Sequence, residues 1–137
     1  MSSAREVGAH LFRREYDLDH PLDLPPVANL CNALLLDALL AEATGIRLMW
    51  TGPDLGNVEY QLDSGWRLIA QVPEQPFGVL INRLKVMAAL DIGRVLIQEG
   101  ELHLRRLGHL HILKIRTEVT DAPYELLTVS GLPGRAA

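Results

Sequence analysis

The chain has 137 residues, 48% hydrophobic and 22% charged, and its 13 Lys and Arg against 17 Asp and Glu give a formal charge of −4. That length suits one domain with a buried core, and the acidic balance argues against a nucleic-acid partner, whose phosphates require clustered cations. No apolar run approaches the roughly 20 residues that span a bilayer, and Met1-Ser2-Ser3-Ala4-Arg5 leads into no signal core, so a cytoplasmic protein that is not integral to a membrane is expected.

Residues 1–24 read as an arm that mixes charge with a few apolar residues, of which Leu11, Phe12 and Tyr16 suggest a short helix packed on the body. Pro25-Pro26 punctuates the arm and can lead into a helix, because proline is tolerated in a first turn. From Val27 to about Ala43, residues Val27, Leu30, Cys31, Leu34, Leu35, Ala38 and Leu39 recur at the spacing of one helical face. Asn29, Ala33 and Asp37 fall on the outer side, and Gly45 supplies a stop.

Three strands are expected next, Ile46 to Thr51, Asn57 to Asp63 and Trp66 to Val72, joined by Gly52-Pro53-Asp54 and Asp63-Ser64-Gly65 turns. Val58, Tyr60 and Leu62 alternate with Glu59, Gln61 and Asp63, the pattern of a sheet with one buried face. A second helix runs from Pro76 to about Leu90. Phe77, Leu80, Ile81, Leu84, Met87 and Ala88 line its apolar face, Asn82, Lys85 and Ala89 lie opposite, and Gly93 marks the exit. Three more strands close the body: Glu101 to Arg106, His109 to Thr117 and Tyr124 to Val129.

Tight turns pair neighbouring strands antiparallel, since a parallel pair needs a long crossover. The expected fold is therefore α+β: two layers, a mainly antiparallel sheet of about six strands with two main helices on one face, in the order αβββαβββ. Its body spans residues 25–131, and 132–137 form a tail.

The motifs of common catalytic chemistry are missing. None of the eleven glycines belongs to a Gly-x-x-x-x-Gly-Lys-[Ser/Thr] phosphate cradle, and there is no CxxC, HExxH or GxSxG, so no enzyme activity and no cofactor are expected. His103, His109 and His111 form the one local histidine cluster, with Glu101 nearby. A metal site needs further placed ligands, and hydrogen-bonded strand histidines are the stronger reading. Cys31, inside an apolar stripe, reads as a buried thiol rather than a nucleophile. Asp37 and Glu42 read as solvent-facing charges, and Trp50 and Trp66 as core or rim packing with partner contact as the alternative.

Arg105, Arg106, Lys114 and Arg116 are the densest basic group. They read either as a small patch for a phosphate or an acidic surface, or as cations that discourage edge pairing. Leu110 and Ile112 share a strand face with Lys114 and Arg116, opposite His111, Leu113 and Ile115. Two helices cover only one sheet face, so Leu110 and Ile112, rimmed by Lys114 and Arg116, are expected to form a protein interface. The alternative cover is the arm, through Leu11, Phe12 and Tyr16.

The stretch Ile81-Asn82-Arg83-Leu84-Lys85-Val86-Met87-Ala88-Ala89-Leu90-Asp91-Ile92 resembles the "RIKVMAGLDIAE" helix of the secretion-type traffic ATPases, the motors of type II secretion and type IV pilus assembly. Residues 27–35 resemble the "IVRLVNALLTEA" helix of that family, and Tyr60-Gln61-Leu62-Asp63-Ser64-Gly65 resembles "YRIDGVL". Residues 96–102 stand where the family has "LPQDGRI", and Leu113-Lys114-Ile115-Arg116-Thr117 where it has "VRVST". The likeness covers Val27 to Val129 and implies the domain that precedes the motor, without the motor itself.

Departures matter as much. Glu101 replaces the arginine of "QDGR", and a glutamate there would repel phosphate. Lys114 keeps a charge at the "VRVST" arginine but lacks its fork. The polar signature of "SDIHIE" is gone from residues 44–49. The resemblance implies a non-catalytic module that binds a protein, a secretion or pilus component or ATPase, either in the cytoplasm or held at the inner membrane through that partner. Two alternatives stand beside it: part of a split ATPase that works with a separate motor chain, and a small nucleotide sensor built on the basic group. The motors are hexamers, but without a motor domain a monomer or dimer is expected.

Overall fold

A computed structural model describes residues 15–17, 26–63, 65–92, 97–120 and 124–135. Its elements are strand β1 (Glu15–Asp17), helix α1 (Pro26–Leu40), strands β2 (Gly45–Trp50), β3 (Leu55–Leu62) and β4 (Gly65–Pro73), helix α2 (Glu74–Met87), and strands β5 (Gln98–Arg106), β6 (His109–Val119) and β7 (Glu125–Ser130). The six expected strands and two helices follow in the expected order. They form one sheet in the order β1-β5-β6-β7-β2-β3-β4, antiparallel at every junction except β1–β5.

Two three-stranded meanders, β2-β3-β4 and β5-β6-β7, are joined at the centre by β2 and β7. The seventh strand is the departure. Glu15–Asp17 pairs in parallel with His103, Leu104 and Arg105, so Tyr16 belongs to a strand and not to a helix. Leu11 and Phe12 lie outside the described residues. In the tail, Leu132 is buried, and Gly134 approaches Thr44 so closely that a Cβ there would meet its methyl at 2.6 Å.

Alternation places Ile46, Leu48, Val58, Tyr60, Leu113, Ile115, Leu127 and Val129 on one face, all buried. Against it pack Cys31, Leu35 and Ala38 of α1 and the whole expected stripe of α2. Leu30, expected in the α1 stripe, is instead 44% exposed. Tyr60 secures α1 from below, its hydroxyl donating to Asp37 Oδ2 at 2.7 Å, so Asp37 is an acceptor rather than a bare surface charge. The phenol is pushed well above its ordinary pKa, first by burial and then by that hydrogen bond.

The sequence pattern misplaced Lys85. It is 1% exposed, and its ammonium lies 2.5 Å from Glu125 Oε2 at the start of β7. A long polar side chain on a helix flank can reach under the apolar stripe when a carboxylate waits there, and Glu125 is itself 8% exposed.

Both helices end earlier than the glycines suggested, by the same device. At α1, Glu42 N–H bonds Leu39 O and Ala43 N–H bonds Ala38 O; at α2, Ala89 N–H bonds Val86 O and Leu90 N–H bonds Lys85 O. These are Schellman closures whose left-handed residue is Glu42 (φ 60°) or Ala89 (φ 58°) rather than glycine. Gly45 instead opens β2, and Gly93 lies outside the described residues.

Glu125→Ala should leave the Lys85 charge buried without its partner and cost about 3–5 kcal/mol in urea unfolding, whereas the double variant Lys85→Met/Glu125→Leu should recover most of that loss. Ala89→Gly removes the left-handed strain and should raise unfolding stability by about 0.5–1 kcal/mol, read from the same titrations.

Candidate interaction surface

Because both helices pack on one face, the other face of the sheet carries no further element among the described residues, and the strand registers map it row by row. One row runs Glu101, Lys114, Ser130, Gly45, Gln61, Trp66 across β5, β6, β7, β2, β3 and β4. The next runs Glu99, Arg116, Thr128, Arg47, Glu59, Leu68. Opposed residues in a ladder share a face, so each row is a line of neighbouring side chains.

The second row is a chain of compensated charge. The Arg116 guanidinium donates to Glu99 and, at 3.2 Å, to Glu118, and these hydrogen bonds push its pKa further up. Arg47 Nε donates to Glu59 Oε1 at 2.7 Å, and the Arg47 guanidinium lies 4.3 Å from the Trp66 ring centroid. Trp66 in turn lies over Gly45, where a Cβ would meet the indole at 3.3 Å. A phosphate offered to Arg116 would compete with two carboxylates already in place.

The basic group predicted from sequence therefore divides. Lys114 and Arg116 are exposed on the open face, and Arg105, opposite Leu110, shares it. Arg106 pairs with His109, one residue out of phase, and belongs to the other side. The histidines divide in the same way. His103 sits opposite Ile112 on the open face, while His111 sits opposite the buried Leu104. Among the described residues no three potential metal ligands come together.

Leu110 (42% exposed) and Ile112 (49%) are open to solvent. They lie on the part of β6 beyond its last pairing with β7, Lys114 with Ser130, where the β5–β6 hairpin projects past its neighbour. His103 and Arg105 sit beside them from β5, and Leu107, 69% exposed, is at the turn. This end of the face combines apolar surface with a cationic margin, while the middle is neutralised internally. The Arg47–Glu59–Trp66 cluster escaped the sequence reading. The alternation of Arg47 and Met49 with Ile46 and Leu48 signals their shared face, but only the register brings Trp66 to them.

The other singled-out residues are structural. Trp50 meets Phe77 edge to face at 4.7 Å, on the helix side of the sheet. Cys31 is fully buried with its thiol 3.6 Å from Met87 Sδ, and burial pushes its pKa to about 12. Among the described residues, no helix is long and apolar enough to cross a membrane.

No protein-family profile matches the chain. It is 32% identical over 101 residues to the type IV pilus assembly ATPase PilB of Acinetobacter baylyi, covering 73% of this chain and 17% of that protein. It is 31% identical over 102 residues to type II secretion system protein E of Klebsiella pneumoniae, covering 74% and 20%. It is also 36% identical over 81 residues to an Escherichia coli K12 protein provisionally named type II secretion system protein E, covering 58% and 16%. The chain is thus similar to type II secretion and type IV pilus proteins and spans a fifth or less of the length of these curated relatives.

The buried thiol yields a pH test. A folded-state pKa raised to about 12 from 9.0 means that the fold holds the proton while the unfolded chain releases it. Stability is complete below pH 9 and should fall as pH rises toward 12, by up to about 1.4 kcal/mol per pH unit from this group. Urea titrations across that range check the slope, which Cys31→Ala should flatten.

Proposed function

We propose that this chain is a non-catalytic protein-interaction module related to the motor-adjacent domain of the type II secretion and type IV pilus ATPases. It binds its partner through the projecting end of the open face: Leu110 and Ile112, with Lys114 and Arg105 as a cationic margin and Arg116 bordering them. The exposure of Leu110 and Ile112 on a face that neither helix covers carries this reading. The similarity to PilB and to type II secretion system protein E supports a place in such a machine, and a cytoplasmic position is part of the same proposal.

Residues 1–137 contain no P-loop, so ATP hydrolysis is not expected of them alone. A second reading, part of an ATPase that works with a separate motor chain, is favoured by the small share of each relative that the match covers. Glu101 opposite Lys114 weighs against it, because a carboxylate occupies the position where the resembling motif carries arginine. The nucleotide-sensor reading loses its main support, since Arg116 is engaged by Glu99 and Glu118.

Ile112→Lys tests the surface. The variant should keep the wild-type melting temperature and bind a secretion or pilus ATPase of the source organism at least about tenfold more weakly. Unchanged affinity, or unfolding of the variant, overturns the assignment. ATP turnover by the purified chain above background would end the non-catalytic reading.

A further inference from the structure

The two edges of the sheet are treated differently. On the β5 side, a strand that carries Glu99, Glu101, Arg105 and Arg106 is capped by β1 of the same chain. On the other side, the nine-residue strand β4 has no neighbour beyond it among the described residues. Its sequence, Gly65-Trp66-Arg67-Leu68-Ile69-Ala70-Gln71-Val72-Pro73, holds a single formal charge and keeps its one proline at the end. Residues 67–71 are all exposed, with Leu68 at 53% and Ile69 at 44%. Proteins blunt bare edges with several charges and with internal proline; this edge carries one charge, Arg67, and no proline before its last residue.

We infer that β4 is a self-association edge, pairing antiparallel with β4 of a second copy about a twofold axis at Ile69. Full overlap of the nine residues requires Gly65 opposite Pro73 of the other copy, which puts Ile69 on the axis. That register is electrostatically consistent. Arg67 faces Gln71 of the second copy, never another Arg67, and Leu68 faces Ala70, so no like charges oppose one another.

The β3–β4 ladder supplies a second motive. Val58 pairs with Ala70 and Glu59 with Leu68, which leaves Ile69 out of the β3 ladder. A bulge also twists an edge and so works against pairing. It falls at the proposed axis, where the Ile69 peptide gains most from a new strand. This surface is separate from the Leu110–Ile112 end and stands independently of it.

The only native cysteine, Cys31, is buried, so an introduced thiol is a clean reporter in the full chain. Directly opposed residues in an antiparallel pair have Cα atoms roughly 5 Å apart, within disulfide range. Ile69→Cys should therefore oxidise to a covalent dimer on a non-reducing gel. Arg67→Cys should not, because it lies roughly 13 Å from its own copy in this register. By sedimentation equilibrium the wild type should dimerise, and Ile69→Lys should weaken the dimer at least about tenfold with an unchanged melting temperature. A wild type that stays monomeric at the highest attainable concentration overturns the proposal. So does equal cross-linking by Arg67→Cys, or a dimer that survives Ile69→Lys and is lost in Ile112→Lys.

Discussion

The buried ion pair between Lys85 and Glu125 fixes how the rest of the molecule fits together. An ammonium and a carboxylate withdrawn from water hold each other only in good geometry, so the pair tolerates little sliding or rotation of α2 over the sheet. One partner belongs to the helix between the meanders, the other to the first residue of β7, which joins the second meander to the first. That contact, together with the buried Phe77, Leu84 and Met87, ties the rotation of α2 to the position of β7. Lys85 also lies within the stretch that carries the sequence resemblance. There it serves packing, whatever else that stretch does in longer proteins.

With both helices committed to one side, the other side of the sheet could have been an adhesive apolar plane. Registers turn most of it into an internally neutral one. Glu99, Arg116, Arg47 and Glu59 stand across the sheet in alternating pairs, and the Trp66 ring lies under a guanidinium rather than open to contact. Exposed apolar side chains remain where β6 outruns β7, at Leu110 and Ile112, and at the opposite edge, at Leu68. Charge pairs thus take up most of the area of this face among themselves and leave little of it apolar.

Strand and helix order were legible in the sequence because each element carried its own period, as in Val58, Tyr60 and Leu62 or in Phe77, Leu80, Ile81 and Leu84. The β1 strand was not, since three residues are too short to show alternation and gain their conformation only from the edge they meet. Helix ends were misread toward Gly45 and Gly93, because Glu42 and Ala89 take up the left-handed turn at a modest steric cost. Lys85 was misassigned because a helical wheel counts a lysine as solvent-facing and cannot see a carboxylate forty residues on. Of the surface, Leu110, Ile112, Lys114 and Arg116 could be grouped from a single strand. The separation of Arg106 from Arg105 and the joining of Arg47 to Trp66 depend on pairings between strands.

The seam between β2 and β7 also governs when the molecule can become complete. It joins the first strand of one meander to the last strand of the other, as where Arg47 faces Thr128. On the ribosome, β2, β3 and β4 emerge first and can zip locally, yet the inner edge of β2 waits until α2, β5, β6 and finally β7 have been made. Until then an unpaired strand bearing Ile46 and Leu48 is exposed to other nascent chains. Folding therefore hinges on a late, long-range closure, and the span between the seam strands makes the newborn chain a client for whatever shields apolar edges during synthesis.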